Sequence, residues 1–161
     1  MEKGEDTGME AKLVNKEAFK AVGAKWVGTF EQAAKDDIKI FHKEFLKRKT
    51  ELKSALNPEN IFGLSYHITQ NGFTYYLALE VEDGTAIPEE MELITVPACT
   101  FACIEYKGKA VHEAYTNLYT WIKENGYTLT QNGLEHLEEY PGSFDPVNDV
   151  PELKIHIPIM I

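Results

Sequence analysis

One predicted strand, residues 134–140, carries a carboxylate between an imidazole and a phenol. Side chains alternate between the two faces of a strand, so His136, Glu138 and Tyr140 share one face and Leu137 lies on the other. A carboxylate beside aromatic rings is suited to holding an organic cation, by charge and by cation–π attraction. If Leu137 packs under the helices, Glu138 and Tyr140 face the opposite side of the sheet. The alternative, a surface Glu138 with tyrosines that only pack, stays open.

A second group of tyrosines lies in a predicted hairpin. Asn71-Gly72 separates two runs rich in β-formers, 61–68 and 73–81, which is a strong hairpin signal. Tyr75 and Tyr76 then point to opposite faces of the second strand. Leu77 and Leu79 share the face of Tyr75, and Ala78 and Glu80 share that of Tyr76.

Other familiar chemistry lacks support in the sequence. The five histidines are scattered and none forms a ligand set with a cysteine, so we predict no metal and no cofactor. Ser65 and Ser143 have no neighbouring histidine, and the chain contains neither G-x-S-x-G nor a phosphate-binding glycine loop. Hydrolases of the usual serine type and nucleotide-binding proteins are thereby disfavoured.

The charge of the chain is unevenly distributed. The formal net charge is -10, and residues 80–161 hold 15 acidic against 4 basic side chains, whereas residues 1–79 hold 11 against 12. Such a surface disfavours direct binding to nucleic acid and to anionic membranes. Cationic partners gain some support, although on charge alone the better explanation is acidity that only aids solubility.

The elements that must position these residues follow a repeated order. Strand, helix, strand, strand occurs twice, with strands 19–30, 61–68 and 73–81 and a helix 31–52, then strands 100–106, 134–140 and 153–159 and a helix from Val111 to an Asn125-Gly126 stop. A further strand, 92–96, lies between the units. This order predicts an α+β fold, with antiparallel sheet and helices on one face. Residues 1–11 are predicted to be a disordered tail and residues 12–161 a single domain.

Cysteine usage and the N-terminus indicate a cytoplasmic protein. Cys99 and Cys103 are four residues apart in a predicted strand, about 13 Å along it, too far to bridge. Buried free thiols fit a reducing compartment. The N-terminal residues lack a basic region followed by an apolar core, so no signal peptide is predicted.

Four motifs in order resemble the GyrI-like effector-binding family, the ligand-binding domain of many AraC- and MerR-type transcription regulators. They are VPACTFACIEYKG (96–108), AYTNLYTWIKENGY (114–127), LEEYPGSFDP (137–146) and LKIHIPI (153–159). The similarity covers nearly the whole chain and is greatest to the free-standing, integron-associated branch. It implies a pseudo-twofold duplication with a ligand groove between the halves.

The resemblance also implies site residues. The family's pocket glutamate corresponds to Glu138 and its aromatic to Tyr140, while the helix motif supplies Tyr119 and Trp121. The hairpin tyrosine is Tyr75 or Tyr76. Lipophilic, aromatic cations are the ligands that such a pocket meets. Two departures, Cys99 and Ala78 at usual glycine positions, put the shape of the pocket in question.

Three classes of function follow. The first is a multidrug-type effector-binding protein that binds or senses a small-molecule cation without a DNA-binding module of its own. The second, implied by hydrolase members of the family, opens electrophilic cyclopropane-containing compounds, with Glu138 and Tyr140 as catalytic residues. The third is an acidic protein-interaction module like family members that inhibit topoisomerases, since 80–92 and 135–152 each hold six acids and no Lys or Arg.

Overall fold

The computed structural model describes residues 10–131 and 133–161. The predicted tail at residues 1–9 lies outside the described residues. Within them are nine strands and three α-helices, with a π-helical turn (Ala33–Asp37) before the second helix and a 3-10 turn (Lys49–Glu51) after it. The strands are β1 (Lys12–Lys16), β2 (Phe19–Gly28), β3 (Asn60–Tyr66), β4 (Phe73–Val81), β5 (Glu92–Val96), β6 (Cys99–Lys107), β7 (Thr128–Leu129), β8 (Leu134–Pro141) and β9 (Glu152–Met160). The helices are α1 (Phe30–Gln32), α2 (Ile38–Arg48) and α3 (Val111–Glu124).

All strand pairs in the described residues are antiparallel and form one sheet. Its order is β1-β6-β9-β8-β3-β4-β2-β5, with the short β7 added to the end of β9. The order is symmetric about the β8/β3 pair, because β8, β9 and β6 on one side match β3, β4 and β2 on the other. The predicted duplication of a strand–helix–strand–strand unit is therefore confirmed. The β8/β3 boundary between the two units is called the seam below.

Both faces of this sheet are buried, since it curls around an apolar interior. Helix α3 packs on one half through Leu118 and Ile122, and α2 packs on the other half through Phe45. A third cluster fills the opposite, inner face, where Leu137 contacts residues such as Phe62 and Phe101. The condition considered for Leu137, packing under the helices, is therefore not met. Because neighbours on a strand alternate, Glu138 faces the helices instead.

The element boundaries largely agree with the sequence predictions. The β4 strand matches its predicted range, and Gly126 ends α3 with φ 78°, the left-handed stop that its motif indicates. The predicted helix 31–52 is interrupted, because Asp36 adopts φ 75° and separates α1 from α2. The strands β1 and β7 escaped prediction, one being polar and the other only two residues long.

Both cysteines are free thiols, as expected. Cys103 is buried and Cys99 is half-buried. Burial raises the pKa of Cys103 to about 11, so its reactive thiolate form is scarce at neutral pH. No helix in residues 10–131 and 133–161 is long and apolar enough to cross a membrane.

Candidate functional site

A buried carboxylate at the seam accepts hydrogen bonds from three tyrosines. Glu138 lies on β8 with only 9% of its surface exposed. Its Oε1 accepts from the hydroxyls of Tyr75, at 2.9 Å, and Tyr140, at 3.0 Å. Its Oε2 accepts from the hydroxyl of Tyr115 at 2.5 Å. Three of the roughly four acceptor positions of a carboxylate are therefore occupied by neutral donors.

The three tyrosines come from three elements. Tyr75 is on β4, two strands from β8, so its side chain must cross β3 to reach Glu138. Gly63 lies at that crossing, directly opposite Glu138 in the β3/β8 register. A Cβ at this glycine would lie 2.4 Å from Tyr75 Oη and 3.0 Å from Glu138 Oε1. The missing side chain thus provides the space in which phenol and carboxylate meet.

Burial sets the protonation of this group. It raises the pKa of Glu138 above the ordinary 4.5, while the hydrogen bonds from Tyr115, Tyr75 and Tyr140 oppose that shift. Burial, with the nearby carboxylate charge, also raises the pKa of Tyr75, Tyr115 and Tyr140 well above 10. The phenols are therefore neutral donors at physiological pH. The site combines one partly compensated negative charge with three aromatic rings.

A cavity of about 250 Å³ opens onto the carboxylate. Most of the apolar lining residues come from the first unit, and Glu138 and His136 come from the second. The cavity therefore lies between the two halves. Its lining residues are Phe30, Ala33, Ile38, Ser65, Ile68, Phe73, Tyr75, Tyr115, His136, Glu138 and Tyr140. Concave, mostly apolar cavities with a few convergent polar groups are typical of small-molecule sites.

Rings behind the cavity hold Tyr140 in place. Phe144 stacks on it with centroids 5.4 Å apart, and the His42 ring meets it edge-on at 5.1 Å. His42 is 3% exposed and its Nε2 has no hydrogen-bond partner among the described residues. Burial lowers the pKa of His42 to about 4, so the imidazole is neutral at physiological pH.

A second polar group lines the same cavity. His136 Nε2 lies 2.6 Å from the hydroxyl of Tyr119, and the imidazole packs on the Tyr115 ring with centroids 4.4 Å apart. Burial lowers the pKa of His136 to about 4. Ser65 lies directly opposite His136 in the β3/β8 register. The sequence analysis found no histidine near Ser65, because the two residues come from strands far apart in the chain.

The predicted site residues divide into those at the carboxylate and those elsewhere. Glu138, Tyr140 and Tyr75 line the cavity, and Tyr119 contacts another lining residue, His136. Tyr76 points to the inner face, where its hydroxyl lies 3.2 Å from Glu92 Oε1. Trp121 packs against Tyr127 in the cluster under α3.

Tyr115 was missed as a site residue, since its position in the apolar stripe of α3 predicted only packing. Its hydroxyl within that stripe was the available clue. The two departures from the family pattern lie elsewhere. Ala78 belongs to the inner cluster and Cys99 packs against it, on the face of the sheet away from Glu138.

A larger cavity of about 570 Å³ lies beyond Tyr140, where β8 and β9 separate. Charges of both signs line it, including Glu105, Glu139 and Lys154. Its three carboxylates are accompanied by two lysines, whereas the lining of the smaller cavity has one carboxylate and no lysine or arginine. We therefore take the smaller cavity, with its enclosed carboxylate and rings, as the candidate site.

The curled antiparallel sheet with a cavity between its two halves defines an α+β domain of the small-molecule binding class. A family model described as GyrI-like small molecule binding domain matches residues 9–161, and the chain belongs to this family. The transcriptional regulator BrlR of Pseudomonas aeruginosa is 28% identical over 159 residues, 94% of this chain. The chain spans 56% of the length of BrlR.

Solved structures share the fold. The structure of SAV2435 bound to tetraphenylphosphonium superposes with a TM-score of 0.70 at 16% identity, covering 94% of each chain. The EcmrR C-terminal domain superposes with a TM-score of 0.66 at 21% identity, covering 94% of this chain and 97% of that one. The predicted family and fold class are thereby confirmed.

Proposed function

We propose that this protein binds lipophilic, aromatic organic cations in the cavity at the seam, with Glu138 as the counter-charge. The observation that carries the proposal is a carboxylate that is 9% exposed, has no cationic partner among its hydrogen bonds and faces a cavity walled by aromatic rings. An entering cation provides the positive counter-charge that the buried Glu138 carboxylate lacks. The rings of Tyr75, Tyr115 and Tyr140 add cation–π attraction.

A ligand of another protein with this fold supports the chemical class. Tetraphenylphosphonium, which is bound to SAV2435, is a cation whose charge is covered by four phenyl rings. It has no hydrogen-bond donor, so the three tyrosine hydroxyls need not leave the carboxylate. The relative BrlR is a transcriptional regulator, so sensing of the cation for regulation is part of the proposal.

The test compares two ions of nearly equal shape and opposite charge. We expect calorimetry to detect binding of tetraphenylphosphonium and none of tetraphenylborate. Glu138→Gln, which keeps the size of the side chain, should weaken the cation by about 10- to 100-fold, the usual worth of a buried charged contact. Equal binding of both ions, or wild-type affinity in Glu138→Gln, would refute the proposal.

Hydrolysis is a second candidate function, favoured by the same carboxylate. A general base with a raised pKa beside hydroxyl donors suits the activation of water. Glu138 would take a proton from a water molecule while the oxygen of that water attacks a ring carbon of an electrophilic cyclopropane. The ring bond would break and Tyr140 would protonate the carbon that leaves. Catalytic turnover of such a compound, abolished in Glu138→Gln, would establish this function, whereas stoichiometric binding alone would reject it.

A further inference from the structure

Ser65 and His136 form a pair of polar side chains on the cavity wall that binding of a cation leaves unused. They face each other across β3 and β8 at the seam, and both line the cavity. Glu138 lies two residues from His136 on the same face of β8. The pair is therefore beside the carboxylate and separate from the hydrogen bonds that hold it.

The hydroxyl of Ser65 borders the cavity and has no protein partner among the described residues. The residue is 5% exposed, and its side chain makes no hydrogen bond to another residue in the described ranges. A hydroxyl at the edge of a largely enclosed cavity is satisfied by water or by a ligand where the protein offers no partner. An unpaired hydroxyl in a cavity wall points to a ligand atom that completes it.

One ring nitrogen of His136, Nε2, has a hydrogen-bond partner, whereas the other, Nδ1, has none among the described residues. Tyr119 holds its Nε2 at 2.6 Å and Tyr115 covers one side of the ring. Its Nδ1 makes no hydrogen bond within the described part of the chain. Where the Tyr119 hydroxyl donates to Nε2, Nδ1 carries the proton and donates; in the other tautomer Nδ1 accepts.

We infer that Ser65 and His136 form a hydroxyl-binding subsite, so that the preferred ligand is an aromatic cation carrying an alcohol or phenol group. A hydroxyl is both donor and acceptor, so it satisfies Ser65 together with either tautomer of His136. A second cationic group would fit poorly, because burial keeps this wall uncharged. The inference rests on the proposed function, since it names the ligand that the same cavity prefers.

The test uses a cation with and without one hydroxyl. Benzyltriphenylphosphonium is compared by calorimetry with its 2-, 3- and 4-hydroxybenzyl derivatives. For the wild-type protein, we expect at least one of the three isomers to bind about fivefold more tightly than the parent cation. The quantity followed in each variant is this affinity ratio, which a general loss of stability or of cavity shape does not reproduce.

Two variants and two matched controls locate the effect. Ser65→Ala and His136→Phe should each bring the ratio close to one. Ser143→Ala and His112→Phe, which change exposed residues of the same types, should keep the wild-type ratio. Thermal melting checks that all four variants fold. A ratio close to one for every isomer in the wild-type protein, while the parent cation binds, would overturn the subsite alone. Absence of binding by every cation would overturn the proposed function and the subsite with it.

Discussion

Gly63 and Glu138 lie directly opposite each other at the seam, and the glycine leaves the space that the carboxylate and the Tyr75 hydroxyl share. An added methyl group would lie 2.4 Å from Tyr75 Oη, closer than packed atoms approach. Because this contact is with the end of a side chain that is itself buried, Tyr75 must move away from Glu138.

We therefore expect Gly63→Ala to weaken tetraphenylphosphonium binding and to lower the free energy of unfolding by about 1–3 kcal/mol. Calorimetry and chemical denaturation measure the two effects. Gly84→Ala is the control, because nothing lies within 4 Å of its added Cβ and the residue is outside the cavity. Its φ of 79° brings backbone strain, so it should cost stability without changing affinity. Wild-type affinity in Gly63→Ala would contradict the role of the glycine.

The buried carboxylate should make the protein less stable at neutral pH than a neutral side chain would. Burial raises the folded-state pKa of Glu138 above 4.5, so the unfolded chain releases this proton first as pH rises. Stability is therefore lost from about pH 4.5 upward, until the folded form also ionises. Glu138→Gln does not titrate in this range. The difference in free energy of unfolding between this variant and the wild type should therefore grow above pH 4.5 and then level off.

We expect that difference, in favour of the variant, to reach about 1–3 kcal/mol at pH 7. Denaturation at several pH values measures it, and Glu135→Gln, a change of the same type at a half-buried residue of β8 outside the cavity lining, provides the comparison. A Glu138→Gln protein that is less stable than the wild type at pH 7, yet equal to it at pH 4, would contradict the assigned direction of the pKa shift.

His42 should contribute to loss of stability in acid. Its folded-state pKa is about 4 against an ordinary 6.5, so the unfolded chain takes up this proton first as pH falls. The stability of the wild type should decline between pH 6.5 and pH 4, and His42→Phe should remove roughly 2–3 kcal/mol of that decline. His112→Phe, at an exposed position, should leave the decline unchanged. Parallel pH profiles for wild type and His42→Phe would exclude a buried neutral His42.

An ion pair joins strand β1 to strand β8. Lys16 Nζ, at the end of β1, lies 3.0 Å from Glu139 Oε2 on β8, and Asn60 donates to the other oxygen of that carboxylate at 3.0 Å. Burial opposes the ionisation of Glu139, but His156, whose Nε2 lies 3.3 Å from Oε2, and then Lys16 lower its pKa overall.

Lys16→Met should leave that carboxylate without its lysine and cost about 2–4 kcal/mol of unfolding free energy at pH 7. The matched change Lys20→Met breaks the exposed pair with Asp83, at 3.0 Å, and should cost less than 1 kcal/mol. Denaturation at pH 7 compares the two. Equal small effects would show that the Lys16 contact is as weak as a surface pair.

The sequence predicted the elements of this fold better than the directions of their side chains. Alternation along β8 correctly separated Glu138 from Leu137, but it did not determine which of the two faces the helices. The reason is that the sheet curls, so Leu137 is fully buried on a face without helices. Apolar patterning marks burial and does not distinguish these two interiors.

The site was predictable where one motif carries it and unpredictable where distant segments meet. Glu138 and Tyr140 are two residues apart, whereas Tyr115 comes from α3 and Ser65 from β3. The choice between Tyr75 and Tyr76 depended on the strand register across β3 and β4, which no single strand encodes. The same register brings Ser65 opposite His136.

The cavity at the seam has a mechanical consequence. Its walls come from both halves, with Phe73 and Tyr75 from the first and Tyr115 and Tyr140 from the second. A molecule seated there joins the two halves as a non-covalent crosslink, and the free energy of binding then opposes their separation as well as their unfolding. If the proposed function is right, we expect occupancy of this one cavity to stiffen the whole domain, including surfaces that do not touch the ligand.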